Sequence, residues 1–174
     1  MKQMPAKILS AAVYLGGSAT MLGNGDITLP SLEAMSETMS GAGIAGEIDV
    51  PTSGFYSSLT VDIAWRSVDR AAIKMASTKL HSLDIRGAQQ VFDMTLPGMR
   101  VEQVKVTIKG LGKTLDLGTF ATNSPTDGST SLEVTYIKIE IGEEKVLELD
   151  KLNFIFYVDG SDEMTDVRRA LGMQ

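Results

Sequence analysis

Residues 132–160 read LEVTYIKIEIGEEKVLELDKLNFIFYVDG, and the alternation within them decides the fold class. Leu132, Val134 and Tyr136 are apolar, with Glu133 and Thr135 between them. Beyond Tyr136 the phase moves by one residue, so that Ile137, Ile139 and Ile141 alternate with Lys138 and Glu140. Side chains on a strand point to opposite faces with period two, so a regular strand cannot bury both sets on one side. Three arrangements resolve the conflict. A bulge can sit near Tyr136 and Ile137, the strand can pass from one packing layer to another, or a partner can cover the second face. Residues 142–145 then make a turn. Residues 146–149 and 152–158 return, with Leu152, Phe154, Phe156 and Val158 marking the core face.

Outward from this hairpin the chain reads as strands. Residues 8–15 form a first strand that turns at Gly16-Gly17, returns at Met21-Leu22 and turns again at Asn24-Gly25, a dipeptide that accepts positive φ. Residues 27–39 carry both helical and alternating patterns, and Pro30 suits either a helix start or an edge strand. Residues 40–54 are a glycine-rich loop. Leu59, Val61, Ile63 and Trp65 then alternate with polar and small residues as a half-buried strand. Ser67 is the cap candidate for a short helix with Asp69 in its first turn and Val68, Ala72, Met75 and Ala76 on one face.

Leu83 and Ile85 mark a strand ended by Gly87, against which residues 91–94 pair back. After a turn at Pro97-Gly98, residues 101–109 form a one-sided strand that 111–117 continue past Gly110. Residues 121–131 are a polar loop. Ser161 is the expected cap of a final helix with Met164, Val167 and Leu171 as its buried stripe and Gly172 as its stop. The expectation is a single domain over 1–174, mainly β, a sandwich or barrel with one short helix after the Trp65 strand and one at the C-terminus.

The totals exclude several function classes. A chain of 174 residues fits one domain and buries roughly 70% of its extended surface. A net charge of −6 with scattered Lys and Arg argues against a protein that coats nucleic acid. Without cysteine there is no disulfide framework or thiolate chemistry. No apolar run reaches the roughly 18 residues that cross a bilayer. The N-terminus resembles a secretory signal only superficially, because Ser10 breaks a modest apolar run. The expected place of synthesis is a cytoplasm.

Few motifs carry chemistry. Gly41-Ala42-Gly43-Ile44-Ala45-Gly46 matches G-x-G-x-x-G, but no buried strand precedes it and Pro51 stops any helix after it. Nucleotide binding needs both, so the glycines are read as a loop open to close backbone approach. His81 is the single histidine and cannot build a zinc site; a satisfied core or surface histidine is the reading. The acidic pairs Glu143-Glu144 and Asp162-Glu163 fit a solvated turn and a helix N-terminus. No catalytic, metal or cofactor residue is assigned. Long apolar strands with free edges favour an assembling protein over an enzyme. A monomeric ligand-binding β-barrel is the alternative, and it leaves the phase slip unexplained.

An ordered set of motifs spans nearly the whole chain. It includes VYLGG (13–17), ITLPSL (27–32), GAGIAG (41–46), WRS (65–67), the 104–110 strand, VTYIKIEIG (134–142), LELD (147–150) and VDG (158–160) before the last helix. In that order the chain resembles the major tail tube proteins of contractile-tailed phages and of phage-tail-like bacteriocins. Residues 89–99 and 124–131 depart from the pattern. The resemblance implies a non-enzymatic subunit that forms homo-hexameric rings stacked into a hollow tube inside a contractile sheath. Tail initiator or baseplate proteins and terminator proteins bound such a tube.

The same resemblance implies that DNA passes along the lumen without specific binding, or ions where the particle carries no DNA. Its location would be a virion tail or an extracellular bacteriocin particle, assembled in the host cytoplasm. It further implies that part of each sheet joins a continuous wall, for which segments 27–39, 47–65, 101–117 and 132–141 are the candidates. Ser58, Thr60, Asp62, Glu133 and Thr135 would face the lumen or a neighbour. Gly41, Gly43, Ile44, Gly46 and Pro51 would contact the adjacent ring. The phase slip would mark the change from a strand serving the subunit core to one serving the shared wall.

Overall fold

The computed structural model describes residues 3–16, 26–93 and 98–173. The hairpin turn expected at Asn24-Gly25, its return at Met21-Leu22 and the turn residue Pro97 lie outside them. In chain order the elements are β1 (Gln3–Leu15), β2 (Ile27–Thr28), β3 (Ala34–Ser40), β4 (Glu47–Tyr56), β5 (Thr60–Trp65), α1 (Arg70–Met75), β6 (Leu80–Asp93) and β7 (Gly98–Asp116). There follow β8 (Gly128–Ile141), β9 (Glu144–Asp150), β10 (Ile155–Val158), β11 (Ser161–Asp162) and α2 (Thr165–Ala170). The chain is mainly β, with the two short helices where the sequence puts them. One nine-stranded sheet has the order β1-β6-β7-β8-β9-β10-β11, with β5 joined to β8 and β2 to β5. A separate two-stranded sheet pairs β3 with β4.

The phase slip is a bulge. Lys109 of β7 pairs with Tyr136 and Gly110 with Val134, leaving Thr135 as the extra residue on β8. The insertion returns Ile137 to the face of Leu132 and Val134, and all three are buried in one core. Tyr136 points the other way, where its hydroxyl donates to Glu148 at 2.9 Å. The slip therefore keeps one core continuous, and a hand-over from subunit core to shared wall is not needed to explain it. It also divides β8 into two pairing zones. Residues 128–133 pair with β5, and residues 136–141 pair with β9.

A single cluster collects Val13 of β1, Val61, Ile63 and Trp65 of β5, Leu83 and Ile85 of β6, Ile108 of β7, Leu149 of β9 and Phe156 of β10. Strands from both ends of one sheet share that core, so the open sheet folds over on itself as a sandwich does. Inside the core the Trp65 indole N–H donates to the Thr130 hydroxyl at 2.9 Å, and Thr130 is fully buried. α1 lies against β7 because Gly112 has no side chain; a Cβ there would run into the carbonyls of Met75 and Ser77.

Several boundaries differ from expectation. The Asp69 carboxylate, not Ser67, caps α1 by accepting from the Ala71 N–H at 2.7 Å, and Val68 is exposed. β6 runs through Gly87 without a break and pairs with β1 and β7 rather than with itself. The return after the 142–143 turn stops at Asp150, whose carboxylate accepts from the Leu152 and Asn153 N–H groups at 3.0 Å each. That turn leaves Leu152 exposed and starts β10 as a separate strand antiparallel to β9. α2 begins after Met164 without a side-chain cap, because Ser161 is taken up in β11. Leu171 is exposed, and Gly172 at φ +71° ends the helix as expected.

Thr130→Val keeps the strand shape and leaves the buried indole N–H of Trp65 without an acceptor. It is expected to lower the unfolding free energy by about 1–3 kcal/mol. Urea unfolding of the monomer should show this as a lower midpoint at unchanged m.

Candidate assembly surfaces

Two surfaces stand apart from the core. The first is the non-core face of the long strands β1, β6, β7, β8 and β9. Alternation opposite Leu83, Ile85, Val106, Ile108 and Ile137 places Tyr14, Asp84, Arg86, Lys105, Thr107, Lys109, Tyr136, Lys138, Glu140 and Glu148 on it. These side chains satisfy one another across strands. Glu140 pairs with Lys138 at 2.9 Å and with Lys105 at 3.6 Å. Glu148 pairs with Lys145 at 2.8 Å and accepts from Tyr136. Asp84 accepts from the Thr107 hydroxyl at 2.9 Å. The remaining cations lie over rings: Arg86 at 5.0 Å from the Tyr14 centroid, Lys109 at 4.9 Å from that of Tyr136.

Titration follows from these pairs. The Lys138 ammonium holds the Glu140 carboxyl below the usual carboxylate range. Burial pushes Glu148 up, but donors from Lys145 and Tyr136 outweigh it and the net direction is down. Burial and the Glu148 carboxylate raise the Tyr136 phenol. The cations named on this face are engaged; Lys7 of β1, opposite Gln90 on the same face, is exposed and has no ion-pair partner among the described residues.

The residues expected on a lumen or neighbour face cluster beside this surface, across β5 and the first half of β8. Ser58 donates to both oxygens of Glu133, at 2.7 and 2.9 Å, and Lys113 lies 3.1 Å from the same carboxylate. Thr60 is the register partner of Glu133, and Asp62 accepts from the Ser131 hydroxyl. Partial burial pushes Glu133 up, and its Ser58, Lys113 and Leu59 donors overcome that and lower it. Thr135 is the bulged residue, and its hydroxyl turns back to the Lys109 carbonyl at 3.2 Å. The structure thus brings Ser58, Thr60, Asp62 and Glu133 onto one face and spends Thr135 on the bulge.

The second surface is the β3–β4 ribbon. The glycine loop is shorter than expected. Only residues 41–46 turn, where Ile44 N–H donates to the Gly41 carbonyl at 3.1 Å, and Gly43 and Gly46 adopt positive φ in open space. Pro51 belongs to β4, opposite Ser36. The candidate wall segments 27–39 and 47–65 therefore each divide between two sheets. Residues paired across the ribbon share a face, so Glu37 with Val50 and Met39 with Ile48 form one side. Met39, Ile48 and Val50 are exposed there, with no core beneath. An isolated two-stranded ribbon is marginal in water, so this arm depends on its root and on whatever covers it.

The root is well held. Tyr56 meets Phe156 with tilted rings at 5.0 Å, Phe55 meets Phe154 edge-on at 6.3 Å, Ser53 donates to Glu163 at 2.6 Å and Lys151 donates to the Ser57 carbonyl at 2.6 Å. Near it the Arg168 guanidinium, 2.6 Å from Asp162, draws that carboxyl down and also donates to the Phe154 carbonyl.

His81 is buried, 3.0 Å from the Ser77 carbonyl and 3.1 Å from its hydroxyl, which is the satisfied core histidine of the sequence reading. Among the described residues no group of three or more His, Cys, Asp or Glu is placed to hold a metal ion, and no helix is long and apolar enough to cross a membrane. The exposed apolar positions of the arm were not singled out from sequence, since alternation alone reads as a half-buried strand.

A group whose pKa falls on folding stabilises the fold above its unfolded value and loses that effect as pH falls through the folded one. Glu148→Gln should therefore be less stable than the parent near neutrality. The gap should narrow only below about pH 4.3, where the unfolded carboxyl takes up its proton. Urea unfolding of both chains from pH 7 to pH 3 measures it, and a pH-independent gap would remove the ion pair from the account.

Comparison with known proteins accounts for a chain with long self-satisfied strands and an uncovered arm. The family model for phage tail tube protein FII matches residues 5–172. The tail tube protein of Escherichia phage P2 is 27% identical over 174 residues, covering 98% of this chain and 99% of that one. The major tail tube protein of Serratia phage KSP20 is 22% identical over 171 residues, covering 98% of each. The chain is a member of the phage tail tube protein FII family, a structural component of a phage tail.

Proposed function

We propose that the chain is the repeating subunit of a contractile tail's inner tube, with no enzymatic role, and that it assembles as hexameric rings stacked into a hollow conduit. Tube assembly is supported by the tail-tube role of the P2 and KSP20 relatives and by the β3–β4 arm, whose apolar face has no cover among the described residues. Six-membered rings, a surrounding sheath, and baseplate and terminator proteins at the ends follow from the resemblance of the whole chain to contractile-tail tubes. The particle is a virion tail or a DNA-free bacteriocin of the same build, assembled in the host cytoplasm.

The lumen is assigned to the non-core face of β1, β6, β7, β8 and β9, with Ser58, Thr60, Asp62 and Glu133 at its margin or against a neighbour. The observation that carries this assignment is the internal pairing of that face. Nucleic acid is retained where phosphates find free Lys or Arg, and each phosphate contact strengthens binding. Lys105 and Lys138 are held by Glu140, Lys145 by Glu148, and Arg86 and Lys109 by tyrosine rings. DNA or ions would slide over such a wall without a strong site. The glycine tip at 41–46, with Ile44, and the β4 residue Pro51 contact the adjacent ring as parts of the arm.

Negative-stain microscopy of the purified protein, concentrated and nucleated with tail components, is expected to show rings or tubes. Uniformly monomeric particles under both conditions would overturn the reading. The double variant Glu140→Gln, Glu148→Gln frees three lysines, and tubes built from it are expected to retain duplex DNA at low salt where parental tubes do not. Equal release from both would move the lumen to another face.

A further inference from the structure

The charge of the chain is sharply divided along its length. From residue 8 to residue 65 there is no Lys or Arg, and the arm with its root carries Glu33, Glu37, Glu47 and Asp49. The next stretch, 66–79, holds Arg66, Arg70, Lys74 and Lys79 with a single acid, Asp69, which is occupied in capping α1. All four cations are exposed, and none has an ion-pair partner among the described residues. Apolar side chains stand among them. Ile73 is 51% exposed on the outward side of α1, one helical turn from Arg70 and beside Lys74, and Val68 is 49% exposed just before the helix.

Two surfaces of one chain are therefore complementary in charge and alike in carrying uncovered apolar residues. Within one copy they spring from opposite ends of β5. The root of the arm enters β5 at residues 57–59, and α1 leaves it after Trp65, so the two lie at opposite ends of a six-residue strand, about 20 Å of extended chain. A contact between unlike patches at opposite ends of a subunit is head-to-tail and repeats without closing on a pair.

We propose that the apolar face of the β3–β4 arm, where Glu37 stands beside Met39, Ile48 and Val50, docks on the basic α1 surface formed by Val68, Arg70, Ile73 and Lys74 of a second copy. Resting on the tube reading, this names the receiving surface for the arm and sets the direction in which rings stack. Opposite charge speeds and orients the encounter, and the apolar side chains supply the buried area. Ion pairs at the rim of such a contact are screened by salt, so growth slows as ionic strength rises.

The experiment is a charge swap on the full chain, read by pelleting and negative stain, with far-UV circular dichroism confirming that each variant is folded. Arg70→Glu with Lys74→Glu, and separately Glu37→Lys, are each expected to cut tube yield more than about tenfold, since like charges in a contact cost several kcal/mol. The two variants mixed together are expected to co-assemble where neither grows alone, because an arm of one then meets an α1 of opposite sign. Unchanged tube growth by the α1 variant, or failure of the mixture to recover, would overturn the docking while leaving the tube reading intact. Absence of tubes from the parent chain would overturn both. Unchanged growth with lost sheath attachment would reassign the α1 surface to the sheath.

Discussion

The β7–β8 ribbon governs this fold, and the extra residue at Thr135 is the constraint within it. β7 is the longest strand, and β7 and β8 between them pair with β5, β6 and β9. Without the bulge, Ile137 would leave the core face that Leu132 and Val134 occupy, and the core would lose its continuity from β5 to β9. With it, one strand serves β5 along its first half and β9 along its second. The sheet folds over a single apolar cluster, and its opposite face is left for polar side chains.

That opposite face shows how the same alternation yields a polar surface whose charges are largely paired with one another. Each residue opposite a core position is free to be polar, and the cross-strand spacing puts Lys beside Glu and cations over Tyr. Such exposed or half-exposed pairs add little to stability individually. Their larger effect is electrostatic: a wall that carries several lysines presents few free ones. The arm follows a different logic. Its aromatic root packs against Phe154 and Phe156, while its outer part keeps an amphipathic pattern with nothing to bury against among the described residues.

Much was legible in the residues because it depends on local pattern. The alternation of Leu59, Val61, Ile63 and Trp65 reports burial on one side of a strand, and the structure buries all four. The phase break at Tyr136 requires an irregularity whatever the partner strands are. The turn after Ile141 follows from Gly142, which with Glu143 takes the positive φ of a two-residue hairpin. Where local signals competed, sequence reading chose the wrong one. Ser67 and Asp69 are both good caps, and only the placement of α1 against Gly112 selects Asp69. Leu152 continues an apolar alternation, yet the Asp150 carboxylate closes a turn before it.

The amino-acid sequence by itself determined the mainly β class, the two helices and the need for an irregularity near Tyr136, since each rests on near-neighbour sterics and period. It also displayed the division between acidic 8–65 and basic 66–79, which is simple order along the chain. The tertiary structure alone decided that segments 27–39 and 47–65 each split between two sheets, that β6 runs unbroken through Gly87, and that the apolar face of β3–β4 has no core beneath it. These depend on which strands meet across long stretches of chain. Hydrogen-bonded pairing between distant residues leaves no periodic mark on either partner, so an uncovered alternating strand and a buried one are written in the same letters.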